Sequence, residues 1–370
     1  MIVKNNPYNA RIIDLPLAVG KLRLKYSYRS TVELIPEALK RKHDNGQFLR
    51  IFHDSESTEH TLIRGSDGGI IAYHVPAAYL RQHGVNTDLY DTIERIRIKS
   101  LRQHKGAYRG EAVSRHYLPW CCYRKQPSIS TEYMADGKPA QKFMEESQGL
   151  WEKASEIFQG VLPGKWRRLT EYPYPKGMQR MAGVWSGCAL NIGSQSPVQT
   201  VVHRDVGESP FEYSCLTAFG DFQGADVELW EAEVSIKLRP ADLLLFLDAC
   251  IHHSNTVVTG LRHSCVAFTP KNMYDWFVRE YSASKELQIS LRERRKNFQK
   301  NKKKTTESKK ESKKESKKES KKESKKESKK EKLEHVQQNG AGRTKKKRRP
   351  RGRTGKRRLD GEKGRESKTL

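Results

Sequence analysis

Two short polar segments, some fifty residues apart, carry side chains that could bind one metal ion together. His203 and Asp205 flank Arg204, and a strand running through all three would point the first and third side chains to the same face. His252 and His253 form the second segment, and only one of them can share that face because adjacent strand residues point opposite ways. Two imidazoles and one carboxylate are typical of six-coordinate iron(II), with three positions left open for a chelating co-substrate and O₂.

A possible anchor for such a co-substrate follows nine residues after His253. Arg262 and Ser264 are two positions apart on a predicted strand and would share a face. Arginine keeps its charge at neutral pH, and its planar fork matches a carboxylate with two parallel hydrogen bonds, to which a hydroxyl could add another. Taken singly, each of these residues is also compatible with a polar turn or a sheet edge, so the prediction depends on the combination.

The stretch that must position these residues runs from Trp185 to Tyr274 and consists of short predicted strands separated by Gly, Pro, Asn and Asp. The predicted strands are 183–192, 198–203, 213–219, 226–230, 234–238, 243–247, 255–258 and 264–269. Eight short strands at this spacing favour a jelly roll or barrel over βαβ units, with an ordinary β-sandwich as the alternative. Before this stretch, the pattern predicts a turn and strand at 68–76, helical structure over 76–102 and a short helix at 149–160.

The order His-x-Asp, His and Arg-x-Ser inside one β-rich segment resembles that of the 2-oxoglutarate- and Fe(II)-dependent dioxygenases. The resemblance covers about a quarter of the chain and implies a double-stranded β-helix, which is a jelly-roll, cupin-like fold. It implies that iron is bound by His203, Asp205 and His253, and that the distal carboxylate of 2-oxoglutarate is held by Arg262 and Ser264. His253 is preferred to His252 because a His-x-Asn pattern, here ending at Asn255, recurs at this point in fungal relatives.

A narrower resemblance is to the TET/JBP-type branch of that family, as expanded in basidiomycete fungi. It rests on the residues 189–192, Thr200, 203–205, 220–224, Leu229 and 240–243. TET/JBP enzymes hydroxylate the methyl group of a pyrimidine base in nucleic acid. Ala225 and Ala241 stand where relatives usually carry glycine, and alanine tolerates positive φ less well, so these two turns are expected to differ.

Charge is concentrated at the end of the chain. The 370 residues carry a net charge of +27. Residues 301–370 have 30 Lys and Arg against 11 Asp and Glu, a net charge of +19, and include six copies of Glu-Ser-Lys-Lys over 307–330. The repeat has no apolar residue to bury, and a segment of this composition predicts a disordered tail. The basic clusters at 345–349 and 356–358 are typical of nuclear localisation or nucleic-acid contact, and we expect the nucleus as the location.

The sequence therefore predicts an α+β chain with four parts. Residues 1–150 form an N-terminal α/β part packed on the core, 151–280 the double-stranded β-helix, 281–300 a basic helix and 301–370 the disordered tail. The longest unbroken apolar run, 243–247, is far shorter than the ~20 residues of a membrane-spanning helix. No secretory signal is recognised, so the six cysteines are expected to be reduced, buried thiols.

Three functional hypotheses from different classes fit these observations. The first is a nuclear dioxygenase that uses Fe(II), 2-oxoglutarate and O₂ to oxidise 5-methylcytosine or thymine in nucleic acid, with DNA favoured over RNA. The second is a dioxygenase of the same type that hydroxylates a protein side chain or a small molecule. The third is a catalytically silent protein that binds nucleic acid. Retention of both the metal-type residues and the arginine argues against the third.

Overall fold

The computed structural model describes residues 6, 8–25, 35–100, 113–121, 126–193, 200–280, 293 and 296. The helices are α1 (Val19–Lys25), α2 (Glu37–Asp44), α3 (Ala77–Gln82), α4 (Tyr90–Ser100), α5 (Thr131–Asp136), α6 (Lys138–Glu146), α7 (Gln148–Val161), α8 (Pro163–Glu171) and α9 (Lys271–Glu280), and Trp230–Ala232 form one 3₁₀ turn. The first strands are β1 (Arg11–Leu15), β2 (Leu49–Ile51), β3 (Thr61–Gly65), β4 (Ile70–Val75), β5 (Val113–Tyr117), β6 (Pro119–Trp120) and β7 (Ser128–Ile129). The later strands are β8 (Gly187–Ile192), β9 (Ser214–Phe219), β10 (Phe222–Gly224), β11 (Val227–Leu229), β12 (Val234–Ile236), β13 (Leu243–Phe246), β14 (His253–Asn255), β15 (Val258–Gly260) and β16 (His263–Phe268).

Two sheets hold the described part of the chain together. The larger has the strand order β1-β3-β4-β13-β9-β16-β8-β5, and its neighbours are antiparallel except for the parallel pair β1 and β3. The smaller has the order β14-β11-β12-β2. His203 adds to the smaller sheet through an antiparallel bridge to His253 on β14.

The core segments are divided between these sheets in the manner of a jelly roll. Counted along the chain, they are β8, the bridge at His203, β9, β11, β12, β13, β14 and β16. If these eight core segments are numbered 1 to 8 in that sequence, the core part of the larger sheet has the order 1-8-3-6 and that of the smaller sheet 2-7-4-5. This is the two-sheet, eight-segment arrangement of a jelly roll. The predicted double-stranded β-helix is confirmed.

Strands from the N-terminal half extend this core. β4 pairs with β13, so β1, β3 and β4 continue the larger sheet at one edge, and β5 continues it at the other. All six residues of β4 and of β9 are buried, because layers cover both faces of the sheet. The predicted helix at 149–160 is α7, and its apolar stripe is buried as expected: Leu150, Trp151, Ala154, Ile157 and Phe158.

Several predicted boundaries differ from the structure. The helical pattern over 76–102 is two helices, α3 and α4, because the chain turns at Gly84, whose φ is 71°. A strand was predicted at 198–203, but of its described residues, 200–203, only His203 forms a β-bridge. The strand expected at 255–258 is instead the junction between β14 and β15. The short strand β10, which pairs with β15, was not predicted.

Some expectations fall on residues that the structure does not describe. The basic helix at 281–300 lies outside the described residues except for Glu293 and Lys296, and the tail at 301–370 lies outside them entirely. The four-part division of the chain stays a prediction. Among the described residues, no helix combines the length and apolar character needed to cross a membrane. Cys188, Cys215, Cys250 and Cys265 are buried free thiols, and Cys121 is a partly exposed one.

Candidate metal centre

His203, Asp205 and His253 meet where the bridge segment runs beside β14. Their ligand-type atoms lie within 4.8 Å of one another. His203 Nε2 is 3.9 Å from one carboxylate oxygen of Asp205, and His253 Nε2 is 3.7 Å from the other. The two imidazole centroids are 4.2 Å apart. Two ring nitrogens and a carboxylate thus converge on one point, as a metal site requires.

Main-chain carbonyls select the tautomer of both histidines. His203 Nδ1 lies 2.7 Å from the carbonyl oxygen of Val201, and His253 Nδ1 lies 3.1 Å from that of Ile251. A carbonyl can only accept, so each Nδ1 carries the proton and donates it. Each Nε2 then presents its lone pair towards Asp205, which is the arrangement of metal-binding histidines. This donor set fits Fe(II), for which imidazole and carboxylate are suitable ligands.

Asp205 reaches the site from a turn and not from a strand. Strand alternation would place it on the same face as His203 only if a strand ran through Asp205, and the extended segment ends at His203. The Asp205 amide donates to the Asp248 carbonyl (3.1 Å), and its own carbonyl accepts from the Glu208 amide (3.0 Å). These bonds fix the turn and hold the carboxylate beside the imidazoles.

Two buried carboxyl groups lie behind Asp205. Burial, followed by the charge of Asp205, raises the pKa of Asp248 to about 7. Burial, followed by the charges of Asp248 and Asp205, raises the pKa of Glu208 well above its usual value. The Ser214 hydroxyl donates to Glu208. Both shifts favour the protonated form, because neighbouring carboxylates in a buried place repel one another.

His252 points away from the metal group. Its Nδ1 lies 2.6 Å from Glu231 Oε1, and its main-chain amide donates to Glu231 Oε2 at 2.8 Å. On the other side of the strand, the His253 ring contacts the Phe246 ring edge-on, with centroids 5.0 Å apart. The structure therefore brings His253, and not its neighbour, to His203 and Asp205.

Arg262 directly precedes β16, and Ser264 is the second residue of that strand, in the larger sheet. Both are buried, with 2% and 4% of their surface exposed. Burial lowers the pKa of Arg262 to about 10, which still leaves it charged at neutral pH. Its guanidinium lies 5.7 Å from the Phe222 ring centroid. The side-chain amide of Asn191 donates to the Ser264 hydroxyl at 3.4 Å. A buried, charged guanidinium is suited to holding a carboxylate.

His263, between these two residues, faces the opposite way. The Gly193 amide donates to His263 Nδ1 at 3.1 Å, and His263 Nε2 lies 3.2 Å from a Glu94 carboxylate oxygen. Burial lowers the pKa of His263 to about 4. His263 thus connects β16 to α4.

The turns at Ala225 and Ala241 keep a left-handed backbone. Their φ angles are 60° and 66°, so the expected change of conformation is not found. At the second turn, the Ala241 amide donates to the Ala218 carbonyl (2.6 Å). The Asp242 carboxylate accepts from the amides of Arg239 (2.9 Å) and Ala77 (2.7 Å). These bonds hold the backbone in a region that alanine disfavours.

Sequence reasoning missed the side chains that support the ligands. Glu231 holds His252, and Glu208 and Asp248 lie behind Asp205. They stand among 44 acidic residues with no distinguishing spacing, so only the folded chain identifies them. Asn255 had a visible signal, two residues after His253, and its side-chain oxygen accepts from the amide and the hydroxyl of Thr200.

No family model matches the chain. The curated thymine dioxygenase JBP1 of Crithidia fasciculata is 29% identical over 108 residues, which is 29% of this chain and only 13% of that relative's length. A solved structure of NgTET1 in complex with 5mC DNA is 14% identical, with a TM-score of 0.44 over 70% of this chain and 89% of that one. A 2OG-Fe(II) oxygenase family oxidoreductase from Burkholderia pseudomallei is 12% identical, with a TM-score of 0.35 over 53% and 84% of the two chains.

Three findings bear on the relationship to known proteins: the jelly-roll order of the strands, the His-Asp-His group and the local similarity to a thymine dioxygenase. The resemblance read from the sequence is confirmed by them. The chain is similar to the 2-oxoglutarate- and Fe(II)-dependent dioxygenases, and within them to the TET/JBP type.

Proposed function

We propose that this protein is a dioxygenase that uses Fe(II), 2-oxoglutarate and O₂ to oxidise a methyl-bearing pyrimidine base in nucleic acid, either 5-methylcytosine or thymine. The observation that carries the proposal is the convergence of His203 Nε2, His253 Nε2 and the Asp205 carboxylate, with both imidazoles fixed in the metal-binding tautomer. His203, Asp205 and His253 would hold the iron, which supplies the oxidising chemistry when it is bound together with O₂.

Arg262 and Ser264 are assigned to the co-substrate. The guanidinium would pair with the distal carboxylate of 2-oxoglutarate through two parallel hydrogen bonds, and the Ser264 hydroxyl would add one more. The Phe222 ring restricts the guanidinium on one side, and Asn191 orients the hydroxyl. Both anchoring residues are buried, so water competes weakly for the carboxylate, and the pairing is stronger than it would be at the surface.

Nucleic acid is the substrate class that charge and similarity favour. The thymine dioxygenase named above shares its similarity with this chain over 108 residues. The tail carries a net charge of +19, which would attract phosphates without sequence preference. An enzyme that modifies a base must also take it out of the stack, which costs a few kcal/mol, and phosphate contacts can hold the strand meanwhile. The two basic clusters after residue 344 support the nucleus as the location.

The test is a coupled measurement of both products. The full-length protein is incubated with Fe(II), 2-oxoglutarate and matched duplexes that carry 5-methylcytosine, cytosine or thymine at one position, with an RNA of the same sequence as a further arm. Succinate release is followed together with the digested nucleosides. We expect succinate above the background without substrate, matched by a hydroxylated methyl group in one of the DNA arms.

The outcomes separate the alternatives. Succinate release that no nucleic acid stimulates, with no oxidised base, would overturn the substrate assignment and favour the hydroxylation of a protein side chain or small molecule. No succinate in any arm, with metal bound, would overturn the assignment as a dioxygenase. The Asp205→Ala variant is the control, because any product that persists in it does not come from this site.

A further inference from the structure

One peptide unit links the partly buried carboxylate of Glu231 to the candidate ligand His253. The unit joins Ile251 to His252. Its carbonyl accepts the proton on His253 Nδ1 at 3.1 Å, and its N–H donates to Glu231 Oε2 at 2.8 Å. A continuous series of hydrogen bonds therefore runs from the Glu231 carboxylate through this peptide to the His253 imidazole. Metal-binding histidines often donate the second ring N–H directly to a carboxylate, and here a peptide group stands between the two.

Glu231 is well placed to hold this peptide. It lies in the 3₁₀ turn Trp230–Ala232, directly after β11, which pairs with β14. The Trp230 amide donates to the His252 carbonyl at 2.9 Å, so the turn is also bonded to the next peptide. The second oxygen of Glu231 lies 2.6 Å from His252 Nδ1. The carboxylate thus contacts the main chain and side chain of one residue, which leaves it little freedom to rotate.

We propose that Glu231 is a positioning residue that sets the orientation and tautomer of His253 through the peptide between Ile251 and His252. This inference rests on the proposed function, since it concerns the same metal group. Hydrogen bonds in series polarise one another, so a carboxylate at the N–H end makes the carbonyl at the other end a stronger acceptor. A stronger acceptor keeps the proton on His253 Nδ1 and leaves Nε2 as the ligand. The neighbouring His252 then serves to hold Glu231.

The test measures metal binding without any co-substrate. Co(II) is titrated into the full-length metal-free protein and its affinity is obtained by competition with a chelator. Glu231→Ala removes both contacts, and we expect affinity to fall about 10–100-fold, as for other groups that orient a metal-binding histidine. Glu231→Gln keeps an oxygen acceptor for the His252 N–H but loses the charge, so we expect an intermediate fall. His252→Ala keeps the main-chain contact, and its effect is expected to be the smallest of the three.

Glu233→Ala is the matched control. Glu233 ends the same turn and pairs with Lys42 at 2.7 Å on the surface, so its loss removes one charge nearby without touching the peptide. We expect wild-type Co(II) affinity from it. The imidazole ¹⁵N shifts of metal-free protein supply a second readout: in Glu231→Ala, the Nε2-protonated form of His253 should increase. A merely structural role for Glu231 would leave that shift unchanged.

The outcomes distinguish this inference from the proposed function. If wild-type protein binds no Co(II), the metal group itself and the proposed function fail. If wild type binds and a folded Glu231→Ala binds equally well with the same His253 shift, only the positioning role is overturned. Should Glu231→Ala not fold, Glu231→Gln decides: affinity equal to that of Glu233→Ala overturns the proposal, and a selective loss supports it.

Discussion

Each imidazole of the metal group is oriented by the main chain two residues before it. Val201 and Ile251 supply the accepting carbonyls for His203 and His253, so the direction of the Nε2 lone pairs depends on backbone geometry near the bridge between the two histidines. Asp205 is held through its amide and carbonyl. Substitutions of the ligands should therefore affect chemistry more than folding.

The adjacent histidines offer a direct test at this scale. We expect His253→Ala to abolish succinate release, because it removes one of two imidazole ligands, and Asp205→Ala to do the same by removing the carboxylate. His252→Ala should retain most activity, since its ring faces Glu231. Circular dichroism and thermal unfolding check that all three fold. Equal loss of activity in both histidine variants would contradict the assignment of His253 alone.

A second substitution separates the co-substrate from the metal. Arg262→Lys keeps a positive charge but loses the planar fork, so one of two parallel hydrogen bonds disappears. We expect the apparent KM for 2-oxoglutarate to rise about tenfold or more, at ~1.4 kcal/mol per factor of ten, while Co(II) affinity is unchanged. Steady-state kinetics against 2-oxoglutarate measure the first, and chelator competition the second. An unchanged KM would place the carboxylate anchor elsewhere.

The turn before β13 shows how one element tolerates an unfavourable residue. Ala241 has a φ of 66°, while Asp242 fixes the turn through two main-chain amides and lies 3.1 Å from His74 Nε2. Because β13 lies in the larger sheet between β4 and β9, the turn also sets the entry of a central strand. The left-handed backbone is thus imposed by its surroundings and not by the alanine itself.

Substitutions at Ala241 should reveal that its surroundings impose the left-handed backbone. Glycine has no penalty at positive φ, so Ala241→Gly should change the free energy of unfolding by less than about 1 kcal/mol. Valine is β-branched and larger in a buried position, and Ala241→Val should cost about 2 kcal/mol or more. Urea unfolding of both variants measures the difference. Equal stabilities for the glycine and valine variants would mean that the turn is not left-handed in solution.

Across the whole molecule, buried histidines predict sensitivity to acid. Burial lowers the pKa of His53 and His60 to about 4. His60 Nδ1 lies 2.8 Å from the Tyr73 hydroxyl in the core. An unfolded histidine has a pKa near 6.5, so the unfolded chain binds protons first. Stability from these groups is present above about pH 6.5 and falls as the pH drops towards 4.

We expect each of the two histidines to contribute about 1–2 kcal/mol to the loss of stability between pH 7 and pH 5. Urea unfolding of wild type and His60→Gln at both pH values measures this. The variant should lose less stability than wild type on acidification. Comparing wild type with His60→Gln isolates the contribution of His60 to the pH dependence, since Glu208 and Asp248 are present in both proteins. An identical pH dependence would show that His60 is not buried as a neutral ring.

We expect the basic tail, residues 301–370, to contribute to DNA binding but not to catalysis. A chain ending at Lys300 retains every proposed ligand and co-substrate residue, so we expect it to keep coupling 2-oxoglutarate decay to oxidation. Its affinity for duplex DNA should fall, and the slope of log affinity against log salt should flatten, because fewer cations release fewer condensed counterions. Binding of methylated and unmethylated duplexes at several salt concentrations measures this. A changed ratio between the two duplexes would mean that the tail reads the substrate.

Much of the candidate metal site could be predicted from the sequence alone, because metal binding depends on residue types. His-x-Asp, the second histidine and Arg-x-Ser are local patterns of residue type. Strand alternation also predicted that only one of the two adjacent histidines faces the metal group. The fold class followed in the same way from short strands with turn residues between them. Strand boundaries were harder to predict where only one or two residues separate two strands, as between Asn255 and Val258.

Only the tertiary structure decided how these groups act together. It placed Asp205 on a turn, because the main-chain bond to Asp248 comes from a segment more than forty residues away. It separated His252 from His253 by giving the first a partner in Glu231. It also kept Ala225 and Ala241 at positive φ against their own preference. Residue type and strand alternation are local properties of the chain, whereas the partners of a buried carboxylate or a strained turn exist only after distant segments pack, so no local pattern encodes them.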